Sequence, residues 1–110
     1  MPETGARLDE ASLRDADMRG VNLVGGLLRG TILAGANLAH AGLVNAVLRD
    51  ANLEGANLSD ADLFGADLTG ANLAGANLSN SRLSGVTLTN ANLDGAKLTG
   101  ALMPDGSEHE

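Results

Sequence analysis

Ala51-Asn52-Leu53-Glu54-Gly55-Ala56-Asn57-Leu58-Ser59-Asp60-Ala61-Asp62-Leu63-Phe64-Gly65-Ala66-Asp67-Leu68-Thr69-Gly70 is one five-residue phrase written four times with small variations. A period of five fits neither the roughly 3.6 residues of an α-helix nor the 2 of a flat strand, so neither element keeps every Leu on one side. Gly at so many fifth positions would also cost a helix about 1 kcal/mol each. The chain must therefore turn once per phrase. Each pentad reads as a short extended side with Ala and Leu pointing inward and the other side chains outward, and Gly, Asn or Asp serves the tight corner.

The same phase runs outward in both directions. From Leu8 to Met103 in steps of five, twenty consecutive positions hold 18 Leu and 2 Met. Two residues before each of them the side chain is small, Ala in fifteen cases, with Val21, Gly26, Thr31, Ser81 and Val86 as the exceptions. The residue between is Asn or Asp in ten repeats, and Gly stands two places after the Leu in eleven. The array fills residues 6–105, with flanks 1–5 and 106–110, and the length of 110 residues fits one domain.

Tandem Ala-Asn/Asp-Leu-x-x over residues 6–105 resembles the pentapeptide-repeat family. The resemblance implies four pentads per coil, a number that the five-residue period alone does not give. It implies an all-β fold, a right-handed quadrilateral parallel β-helix with Leu stacked inside. Twenty pentads then make five coils, and a strand spacing of about 4.8 Å makes a rod roughly 24 Å long. Small residues before each Leu suit so narrow an interior.

Composition narrows the rest. One Phe and no Trp or Tyr leave Leu and Ala to build the core, although 44% of residues are apolar. With no Cys there is neither disulfide nor thiolate chemistry. Fourteen acidic against seven basic residues give a formal charge of −7, which speaks against direct nucleic-acid binding and for solubility. No apolar run nears the roughly 18 residues of a membrane span, and the first residues do not read as a secretory signal. A cytoplasmic protein with no membrane association is the expectation.

Under a twenty-residue coil, residues twenty apart stack, and the sequence becomes a surface map. Asn37, Asn57 and Asn77 form one column and Asn52, Asn72 and Asn92 another, where amide ladders are expected. Asp62 falls beside Arg82 as a surface ion pair, and His40 beside Asp60. Val24, Val44 and Phe64 occupy the position after the Leu in successive coils of one side, with Leu27 and Val47 around the next corner. β-Branched and aromatic residues suit extended structure, but a contiguous exposed apolar patch marks an interface. A second feature is an acidic surface, Asp50, Glu54, Asp60, Asp62 and Asp67, in a stretch without Lys or Arg.

Catalytic and metal motifs are not found. Asp60-Ala61-Asp62-Leu63-Phe64-Gly65 begins like a calcium loop, but Phe64 stands where a third oxygen ligand is required. Asn57-Leu58-Ser59 and Asn77-Leu78-Ser79 match a glycosylation pattern only because the repeat generates it. His40 and His109 are the only histidines, and an uninterrupted solenoid supplies no cleft in which either would act as a base. Solenoid ends need covering; Met103-Pro104-Asp105-Gly106 reads as a turn that stops the array, while the flanks are too short for a capping helix. The expected function is a non-enzymatic scaffold or interaction module without cofactor, binding a protein partner or a second copy as a homodimer through the apolar patch. Some members of the family act on DNA gyrase as acidic rods resembling duplex DNA, and the resemblance makes that the alternative.

Overall fold

In the computed structural model, which describes residues 5–109, the chain turns a corner at every fifth residue. Each corner from Glu10 to Gly100 has positive φ, between 59° and 75°, whether the residue is Gly or one of eight others. The amide three residues after each Leu closes the turn, as in Ala56 N–H to the Leu53 carbonyl at 3.0 Å. An i to i+3 bond with positive φ at the third residue is a type II turn, the reason Gly, Asn and Asp gather there.

Between corners, each side makes a single parallel bridge to the side one coil on, always with a register of twenty residues. Four ladders result. The first runs through Arg7, Leu27, Val47, Asp67 and Thr87, and the second through Ser12, Ile32, Asn52, Asn72 and Asn92. The third holds Asp17, Asn37, Asn57, Asn77 and Lys97, and the fourth Asn22, Gly42, Asp62, Arg82 and Leu102. The four-pentad coil expected from the resemblance is thus present, five coils deep, in a short rod with extents of 33 × 24 × 23 Å. Each side of the inner coils is bonded to both neighbours, for example Leu53 N–H to the Asn72 carbonyl at 2.7 Å and Asn52 N–H to the Thr31 carbonyl at 2.9 Å.

Leu from all four sides meets on the axis. Leu23 through Leu78 are sealed from solvent, with the alanines two residues earlier packed between them. Full burial of a Leu side chain contributes about 1.5–3 kcal/mol relative to exposure, and stacking repeats that contribution coil after coil. The exceptions at the small position keep their polar atoms satisfied. The buried Thr31 hydroxyl donates to the Leu8 carbonyl at 2.7 Å, and the buried Ser81 hydroxyl to the Leu78 carbonyl at 2.7 Å. At Gly26 a Cβ would lie 2.9 Å from the Leu23 carbonyl oxygen and 3.0 Å from Leu28 Cδ1, so Ala does not fit there as the backbone stands.

The Asn columns stand where the coil map puts them, but their oxygens are engaged locally. Oδ1 of Asn37, Asn52, Asn57, Asn72, Asn77 and Asn92 accepts the amide two residues ahead, at 2.9–3.1 Å. Asp62 and Asp67 do the same toward Phe64 and Thr69. These are Asx turns that fold the backbone into its corner. The preference for Asn or Asp before each Leu therefore follows from a turn within one coil, which an amide ladder between coils is not needed to explain.

The last described residues turn back. Glu108 bridges antiparallel to Leu102, and His109 N–H donates to the Ala101 carbonyl at 2.7 Å. The turn read at Met103–Gly106 is there, closed by Gly106 N–H to the Met103 carbonyl at 2.7 Å. The tail thus pairs with residues 101–103 as a short antiparallel segment. The flank at residues 1–4 lies outside the described residues; Gly5 N–H reaches the Val24 carbonyl at 2.8 Å.

Two outcomes follow for stability. Ala56 is fully buried, so Ala56→Leu overpacks the axis and costs about 1–3 kcal/mol, read as a thermal midpoint lower by several degrees. Gly70 and Gly75 share φ near +70°, but a Cβ on Gly70 would collide with Asp50 Oδ1 while Gly75 faces open space. Both Ala variants carry the left-handed penalty of about 1–2 kcal/mol. Gly70→Ala loses more in a urea titration than Gly75→Ala, and Asp50→Gly in the Gly70→Ala background removes the difference.

Candidate functional site

The apolar residues singled out in the sequence lie together on the rod. Val24, Val44 and Phe64 follow the inward Leu23, Leu43 and Leu63 on the fourth side, one above another. Leu27 and Val47 are direct bridge partners on the first side, across the corner at Gly25 and Asn45. The four aliphatic side chains are half-buried by their neighbours, and Phe64 is 36% exposed. Between the two valines Gly42 offers no side chain, and a Cβ there would sit 3.7 Å from Val24 Cγ2. The surface is therefore low and smooth at its middle, and Phe64 stands out at its upper limit.

Phe64 is covered on one face. The Arg82 guanidinium carbon lies 4.6 Å from the ring centroid, and Arg82 Nη1 is 3.5 Å from Asp62 Oδ2. An exposed cation–π contact contributes about 0.5–1 kcal/mol. It also fixes the ring against the rod and ends the apolar row, because Ser84 follows in the next coil. Stacking by twenty residues places Arg82 beside Asp62, but the contact of the same guanidinium with Phe64 lies off that column. The offset of eighteen residues, one coil less two, was the available signal.

The acidic residues are differently arranged. Asp50 is the corner after the first side, Glu54 lies on the second side, and Asp60 is the corner after the third. Asp62 is on the fourth side and Asp67 on the first. They ring the rod and form no common face. Two have arginine neighbours, Asp62 with Arg82 and Asp67, whose Oδ2 receives Arg49 Nε at 2.7 Å, while Asp60 Oδ2 lies 3.7 Å from His40 Nε2. Hydrogen bonds from Thr69, side chain first, hold the Asp67 carboxyl below the usual carboxylate range, joined by Arg49 and opposed by partial desolvation.

No pocket opens among the described residues, and no three metal-ligating side chains gather there. His40 is an exposed corner residue with φ 62°. No described helix is long and apolar enough to cross a membrane.

Comparison with known proteins agrees with this geometry. A family model described as pentapeptide repeats matches in 8 copies, over residues 4–33, 31–70 and 66–103. No curated protein sequence matches significantly. Among solved structures, a pentapeptide repeat protein, Rfr23, from the cyanobacterium Cyanothece 51142 superposes with a TM-score of 0.79 at 39% identity, covering 79% of this chain and 59% of its own. A pentapeptide repeat protein of the Arabidopsis thaliana thylakoid lumen gives a TM-score of 0.58 at 34% identity, covering 88% of this chain and 64% of its own. This chain thus spans about three-fifths of the length of those relatives, and the lumenal one means that the fold does not fix a compartment. With the family model matched over most of the sequence and the fold shared with solved pentapeptide repeat proteins, the chain belongs to the pentapeptide-repeat family, as a right-handed quadrilateral β-helix.

Proposed function

We propose that this chain is a non-enzymatic protein-interaction module and that it meets its partner along the apolar row of the fourth side, Val24, Val44 and Phe64, with Leu27 and Val47 across the corner. The observation that carries the reading is the contiguity of this row. Outward positions elsewhere on the rod are filled mainly by Asn, Asp, Ser, Thr and Arg, so five apolar side chains meeting at one corner depart from the pattern. Solenoids offer extended surfaces of this kind. A ring held by an arginine also has the composition of interface hot spots, which favour aromatic residues and Arg.

Nothing comparable favours the duplex-mimicking alternative. Phosphates of a duplex repeat at short, regular intervals along both strands, whereas the five carboxylates here are few and irregularly spaced and two of them are paired with an arginine. The protein is accordingly expected to leave gyrase supercoiling unchanged; inhibition that Asp62→Asn weakens would favour the mimic instead.

Quantitative affinity capture from the native host, with wild type and three variants as bait, tests the interaction reading. Val44→Asp and Phe64→Asp each lower recovery of the specific partner at least tenfold, which corresponds to about 1.4 kcal/mol. Ser84→Asp, on the same side but beyond the row, leaves recovery unchanged. Equal recovery by all four baits would refute the assignment of this surface.

A further inference from the structure

The end of the rod behind residues 101–109 is asymmetric. Inside the solenoid, each Leu amide and each corner amide donates to the next coil, as Leu68 N–H does to the Thr87 carbonyl and Gly70 N–H to the Thr89 carbonyl, both at 2.8 Å. In the last coil the equivalent amides of Leu88, Asn90, Leu93, Gly95 and Leu98 have no backbone acceptor among the described residues. The carbonyls of Val86, Ala91 and Ala96 likewise receive no backbone amide. Beneath this rim Leu88, Leu93 and Leu98 are only half-buried, unlike the sealed Leu of the coils below. Three sides therefore present an open β edge over an apolar floor, the arrangement that recruits further strands.

Among the described residues the fourth side alone is closed. The tail lies along residues 101–103, held by Met103 N–H to the Ser107 carbonyl at 2.6 Å, His109 N–H to Ala101 and Gly100 N–H to the His109 carbonyl at 2.8 Å. The turn that returns it depends on Gly106, φ 88°, and on Asp105 Oδ1, which accepts the Ser107 amide and hydroxyl at 2.9 and 2.7 Å.

The opposite end of the rod offers the complement of the open rim. Carbonyls of Arg7, Ser12 and Asp17 occupy the positions that accept from a coil below, and their amides the positions that donate to one; none has a backbone partner among the described residues. Leu8 and Leu13 are half-exposed there. The coil-to-coil contact that the chain makes with itself can therefore be repeated between molecules. A coil seats only as a whole square, however, and one of its sides must lie over residues 101–105, where the tail already is.

We propose that the last coil is a docking surface for the first coil of a second copy of this chain, and that the antiparallel strand at residues 107–109 keeps that surface closed. Such a contact joins unlike ends, does not close on itself and extends into rods. The tail is thus an edge guard that pairs with its own chain in the place a neighbour would take.

Opening the guard in the 110-residue chain tests this. Gly106→Pro is incompatible with the positive φ of the turn and removes its amide; His109→Pro removes the bond to Ala101 but spares the turn. Sedimentation velocity over a hundredfold concentration range, electron microscopy of the same samples and hydrogen exchange at Gly100 report the state of both. The wild type is expected to sediment as one copy, and both variants to form concentration-dependent rods of lengthening multiples, with faster exchange at Gly100. Adding Phe64→Asp to either variant leaves the rods intact. Monomeric variants with an exchanging Gly100, a wild type that associates as strongly as the variants, or association abolished by Phe64→Asp would each overturn the proposal.

Discussion

A backbone that must adopt positive φ at every fifth residue governs this molecule. Each such corner reverses the chain by a quarter of a coil, and everything else fits between corners. Residues that tolerate the left-handed region without strain are few, chiefly Gly with Asn and Asp behind it. The corners of this chain are drawn almost wholly from those three, with Glu10 and His40 the departures. Only short sides fit between such turns, so the described residues pair through single bridges and form no long strands. Local bonding and axial burial then support each other: the Asx oxygen folds the corner, the corner aims Leu inward, and stacked Leu holds the next coil in register.

The phase of Leu and Ala, legible from sequence, was enough for inward and outward sides and for the corners. Four sides per coil had to come from family resemblance, because a five-residue period closes equally well on paper with other numbers of sides. Once the coil length was known, pairs such as Asp62 with Arg82 and His40 with Asp60 followed at once, since stacking is a matter of counting. Bonds that leave the column were harder to see. The Asn oxygens turn along the chain and not along the stack, Arg82 reaches diagonally to Phe64, and Arg49 reaches diagonally to Asp67.

The tail shows the other limit. A return strand in the opposite direction obeys no repeat, so residues 106–110 read only as a flank. Its pairing depends on one glycine with positive φ and one aspartate bonded to Ser107, an ordinary turn signature whose meaning is visible only beside the open edges of the last coil. The apolar row on the fourth side was legible for the opposite reason: it breaks the polar habit of outward positions at five places that the coil register brings to one corner. Regular pentads build the rod, and irregular ones differentiate its surface.

All of these readings rest on the twenty-residue register, and the absence of cysteine permits a direct test. Residues twenty apart lie about one strand spacing from each other, within the Cα separation of about 4.4–6.8 Å that a disulfide bridges. With Val44→Cys and Phe64→Cys in one chain, mild oxidation of dilute protein is predicted to form an intramolecular disulfide in nearly every molecule. Val44→Cys with Ala74→Cys, on the fourth and second sides, is predicted to stay reduced. Equal bridging in the two pairs, or none in the first, would contradict the four-sided coil on which the proposed interaction surface and the proposed guarded end both depend.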